Sequence, residues 1–82
     1  MTAREYRLKI GANSKTTVLA ARKPYTVVLV WYGVRDAIGV AKCNPRDQWN
    51  PDLGFTIAKS RAIAELAERI IAENGFCGGE TK

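Results

Sequence analysis

The hydrophobic positions of this chain follow two rules, alternation in the first half and a helical stripe in the second. From Glu5 to Ile10, Tyr6, Leu8 and Ile10 point one way while Glu5, Arg7 and Lys9 point the other, which predicts a half-buried strand. Gly11-Ala12-Asn13-Ser14 supplies a turn of small residues that tolerate left-handed backbone. Thr16 to Ala20 reads as a short second strand, and Arg22-Lys23-Pro24 breaks it because proline has no ladder donor. Tyr25 to Tyr32 is the strongest strand signal. Both of its faces are apolar or aromatic, so it is expected at the centre of a sheet with both faces partly covered. Gly33-Val34-Arg35-Asp36 is a hairpin turn, and Ala37 to Cys43 is the next strand. Ala37, Gly39, Ala41 and Cys43 give that strand a face of small residues, which lets a helix come close.

The period then changes. Asn50 is placed as an N-cap, Pro51 as the first helical residue and Asp52 at the positive end of the helix dipole. Leu53, Ile57, Ile63, Ala64, Leu66, Ala67, Ile70 and Ile71 form one apolar stripe, with Arg61, Glu65, Glu68, Arg69 and Glu73 opposite. Three i,i+4 pairs are expected there: Arg61–Glu65, Glu65–Arg69 and Arg69–Glu73. Asn74-Gly75 is a helix stop, and the glycine-rich tail after it is expected to fray. The chain therefore reads as one α+β domain over 1–82. A three- to four-stranded antiparallel sheet (about 4–43) packs in two layers on one long C-terminal helix (about 51–73), followed by a tail at 76–82.

Charge adds a functional hint. Residues 1–35 carry seven cations against one acid, a net of +6, and residues 36–82 carry six against seven, a net of −1. A basic half folded into one sheet makes one positive face, and polyanions are its natural partners. Arg7, Lys9, Arg22, Lys23, Arg35 and Lys42 are the candidate nucleic-acid contacts. About six phosphate contacts would give a salt slope near −5 on duplex DNA. Tyr25, Trp31, Tyr32 and Trp49 are the aromatics that could stack on bases. Alternating strand aromatics are more often core, and Trp31 and Trp49 are also candidate partner-binding anchors. Trp49 lies in a polar loop, where it either staples that loop to the helix or anchors a partner.

Much chemistry is excluded. The chain has no histidine, which removes most triads, general bases and transition-metal sites. Cys43 and Cys77 flank the long helix, whose ends are about 33 Å apart, whereas a disulfide needs Cα atoms within about 7 Å. They read as free thiols in a reducing compartment. Asp47 and Asp52 are loop and cap carboxylates, Ser14 and Ser60 have no adjacent base, and no glycine-rich phosphate loop precedes a helix. No enzymatic activity, cofactor or metal is expected. No apolar run approaches the ~20 residues of a membrane span, and the N-terminus has no signal-peptide core, so a cytoplasmic protein is expected.

One stretch carries a resemblance. It comprises Gly39-Val40-Ala41-Lys42-Cys43-Asn44-Pro45-Arg46-Asp47-Gln48-Trp49, then Leu53-Gly54, Ile57-Ala58 and Arg61-Ala62. Over about residues 37–72 it resembles short uncharacterised proteins of actinobacteria and their bacteriophages, some with a fold like half of a double-stranded-RNA-binding domain. The resemblance implies a sheet with one packed C-terminal helix, and a small phage-type accessory protein working in host cytoplasm. True double-stranded-RNA-binding domains place a helix before the sheet and open the last helix with a lysine cluster. Here the chain reads as beginning with a strand, and Thr56 to Arg61 holds only Lys59 and Arg61. Two functional classes follow. The first is a nucleic-acid-binding module using the basic sheet face. The second is a protein-interaction module, such as a phage inhibitor of a host or defence protein. A homodimer covering the second sheet face is compatible with either.

Overall fold

A computed structural model describes residues 2–73. The elements run α1 (Ala3–Asn13), β1 (Lys15–Arg22), β2 (Tyr25–Tyr32), β3 (Arg35–Lys42) and α2 (Pro51–Glu73). The strands form one antiparallel sheet in the order β1-β2-β3. The fold is α+β, with the sheet packed against the long C-terminal helix and a short helix in front. The helix stop at Asn74-Gly75, Cys77 and the tail lie outside the described residues.

The first segment corrects the sequence reading, because Ala3–Asn13 is a helix and not a strand. Tyr6 and Ile10 satisfy both periods, being two alternations apart and also i,i+4 on a helix. Leu8 decides between them: on the strand reading it shares the buried face, yet it is 67% exposed. The helix start was written in Thr2-Ala3-Arg4-Glu5, a capping box. The Glu5 N–H donates to Thr2 Oγ1 (3.1 Å), and the Thr2 N–H donates back to Glu5 Oε1 (2.6 Å). That N–H, with the Thr2 hydroxyl adding to it, holds the Glu5 carboxyl below its usual pKa.

The helix α2 begins as its sequence dictates. Asn50 Oδ1 accepts from the Leu53 N–H at 3.1 Å, and Pro51 takes the first helical position. It lies over β2 and β3, with α1 against its side. The buried core joins Ile10 of α1 to Val28 and Val30 of β2, Ala37 and Ala41 of β3, and Ala58, Ala62, Leu66, Ala67 and Ile70 of α2. The small face of β3 permits this. A Cβ at Gly39 would collide with the Ala58 carbonyl oxygen and the Ala62 nitrogen, so only glycine allows the helix backbone to rest on the strand. The contact row of α2 is accordingly Ala58 and Ala62, which the predicted stripe left out. Leu53 and Ile57, which that stripe included, stay exposed.

The polar face of α2 also differs from expectation. Glu65–Arg69 forms as an i,i+4 pair, but Glu73 pairs with Arg35 at the start of β3. Arg61 Nη1 donates to the Val40 carbonyl (2.7 Å), and Arg69 Nη1 donates to the Asp36 carbonyl (2.8 Å). These arginines reach down to the neighbouring strand because a helix seated this close brings backbone acceptors within their length.

Candidate functional site

The strand register sorts the side chains of the sheet onto two faces. Thr26, Val28 and Val30 of β2 and Ala37, Gly39 and Ala41 of β3 lie beneath the helix layer and are buried. Tyr25, Val27, Leu29 and Trp31, with Asp36, Ile38, Val40 and Lys42, lie on the opposite face. Among the described residues nothing covers that face. β2 is central in strand order, as expected, but one of its two apolar faces is open. Trp31 is 48% exposed and Tyr25 46%, so these two strand aromatics are not core, whereas Tyr32 at the end of β2 packs against the core.

Cross-strand pairing arranges the open face in rows. At one end Arg22, Tyr25 and Lys42 stand side by side, since Arg22 pairs with Tyr25 and Tyr25 with Lys42. Neighbouring strands are about 4.8 Å apart, so the two cations flank the ring with Cα atoms roughly 10 Å apart. Lys42 Nζ lies over the Tyr25 ring, 5.8 Å from its centroid. Lys23 follows in the β1–β2 turn, whose Lys23–Pro24 bond is cis. The Cys43 N–H donates to the Pro24 carbonyl at 2.7 Å, tying this turn to the end of β3. At the other end the row is Lys15, Trp31 and Asp36. Between them lie the aliphatic rows Thr17-Leu29-Ile38 and Ala20-Val27-Val40.

The six cations expected to share one face are therefore divided. Arg22, Lys23 and Lys42 meet at one end of the open face and make no ion pair among the described residues. Arg35 is tied to Glu73 of α2. Arg7 and Lys9 belong to α1 in the helix layer, where Arg7 borders a groove against Ser60, Ile63 and Ala64 of α2. The basic half is thus spread over both layers, because its first segment is helical. Lys15 was missed by the sequence reading. Its signal was its register: on an alternating β1 it falls on the same face as Thr17, beside Trp31.

Beyond the cation row, the β3–α2 loop closes a small pocket of about 130 Å³. Trp49 is half-buried there and lines the pocket with Lys42, Asp47, Leu53 and Ile57. Cys43 is a free thiol whose Sγ lies 3.4 Å from the Asn44 carbonyl oxygen. No group of three or more His, Cys, Asp or Glu side chains among the described residues is placed to hold a metal ion. No helix among them is long and apolar enough to cross a membrane.

Fold and surface together define a small two-layer α+β domain with a cation-ended sheet face that none of the described residues covers. A family model described as Rv2632c-like matches residues 26–75, from β2 to just past α2, and the chain belongs to that family. The motif stretch at 37–72 falls inside the matched span. Neither a curated protein nor a solved structure matches the chain.

Proposed function

We infer that the protein is a non-enzymatic nucleic-acid-binding module that takes the phosphate backbone at the open end of its sheet. One observation carries this: Arg22, Lys23 and Lys42 lie together there, exposed and with no acid among the described residues paired to them. Free cations in a cluster release counterions from a polyanion, whereas a cation already paired contributes little. Lys15 lengthens the track along the same face. With four contacts the salt slope is expected near −3 on a single strand, by the ~0.7-per-phosphate rule. The helix in front of the sheet supports a likeness to a double-stranded-RNA-binding domain that goes beyond the sheet and last helix, since the apparent strand start that argued against a true one is absent. Duplex RNA is still not the favoured ligand. The first turns of α2 carry only Lys59 and Arg61, and Arg61 is bonded to the Val40 carbonyl. The phage-type accessory role in host cytoplasm rests on the motif resemblance alone.

The aliphatic rows of the same face favour a second reading, in which a host protein or a second copy docks there. Fluorescence anisotropy of labelled DNA and RNA across a salt series separates the two. Binding in the micromolar range that tightens at low salt, and that Arg22→Glu/Lys23→Glu weakens for every sequence, supports the phosphate site. Unchanged affinity in that variant would remove it.

A further inference from the structure

The open face holds more than charge, and resting on the phosphate reading above, we propose that its ligand is single-stranded and that its bases stack on Trp31 and Tyr25. The two rings project from the same face of β2, six residues apart, which places them about 20 Å from one another along the strand. Each has a cation beside it in its own cross-strand row: Lys15 next to Trp31, and Arg22 and Lys42 next to Tyr25. Aromatic platforms alternating with phosphate-binding cations are what an unpaired strand requires, because its bases are free to turn onto the rings while its backbone follows the charges. A duplex keeps its bases stacked on one another inside the helix, where neither ring can stack on them. It would meet the aliphatic rows of Leu29, Ile38 and Val40 with phosphates, an apolar surface against charge.

The two rings are not equivalent. Lys42 already lies over Tyr25, so a base arriving there must move an ammonium aside. Among the described residues no cation lies over Trp31, and its indole is the larger surface, so Trp31 is the principal platform. Asp36 stands on its other flank and repels the passing backbone.

The test uses the full chain with Trp49→Phe, which leaves Trp31 as the sole tryptophan, and an oligothymidylate of about 12 nucleotides, within the ~4–16 that one small domain covers. The single strand is expected to quench Trp31 emission and a duplex of equal length to leave it unchanged. In the unaltered background Trp31→Leu, which keeps an apolar side chain but removes the ring, should weaken single-strand binding roughly 5- to 150-fold, equivalent to about 1–3 kcal/mol per stacked base. Trp31→Phe should recover most of that loss, Tyr25→Leu should cost less than Trp31→Leu, and Asp36→Asn should tighten binding. If Trp31→Leu stays within about twofold while Arg22→Glu/Lys23→Glu still weakens binding, stacking is wrong and the phosphate site stands. Absence of binding to any nucleic acid at low salt removes both. A doubled mass by light scattering, with Trp31 emission already blue-shifted in free protein, assigns the face to a second copy and overturns the stacking proposal.

Discussion

The two faces of the sheet are built from the same strands and obey opposite rules. Under α2 the side chains are small, and the fit leaves no slack: Ala37, Gly39 and Ala41 meet Ala58 and Ala62, with Leu66 and Ile70 filling the remaining space. On the open face the residues are large, aromatic or aliphatic, with cations at the ends and no partner among the described residues. Close packing selects for size, since a buried methyl too many has nowhere to go. An open face has no such limit, and large β-branched and aromatic residues there stabilise the sheet through cross-strand pairs. In a domain this short that contrast matters, because so little apolar surface is available for the core.

The contrast is sharpest at two adjacent residues. Gly39→Ala puts a methyl against the helix backbone, which cannot turn away as a side chain can, and is expected to destabilise by about 3 kcal/mol or more. Ile38→Thr, one residue earlier and facing out, should change stability by no more than about 0.5 kcal/mol. Urea unfolding of both variants checks the pair. Equal losses at the two positions would mean that the open face is not open. A smaller effect of opposite sign is expected at Thr26. Its side chain is buried, and its Oγ1 has no hydrogen-bond partner among the described residues. Thr26→Val keeps the shape, removes the orphaned hydroxyl, and should stabilise by about 1 kcal/mol. A loss instead would show that the hydroxyl is satisfied.

Most of the covered face was legible in the sequence. The small residues at 37, 39 and 41 announced a close helix, and Asn50-Pro51-Asp52 marked where it starts. The i,i+4 pairing on α2 was only partly readable, because a sequence does not show that backbone carbonyls of β3 lie within reach of Arg61 and Arg69. The N-terminal helix was misread for a physical reason. A short segment whose apolar residues fall at every second position also places every fourth on one helix face, and the capping box was the signal that separates the two. The open face was half legible. Alternation placed Lys42 with Ile38 and Val40, but core and surface aromatics look alike until something is seen to cover them or not. The scatter of Arg7 and Lys9 away from Arg22 follows from the same misread helix.

The arginines of α2 have a consequence for how copies of this chain could assemble. Val40 and Asp36 would each offer a carbonyl to an incoming strand at the outer border of β3, and the guanidinium groups of Arg61 and Arg69 already occupy both. A sheet with two receptive borders can add units indefinitely and grow into a fibre. Two guanidinium groups seated on the carbonyls of β3 hinder pairing there, so the helix that builds the core also blunts one border of the sheet.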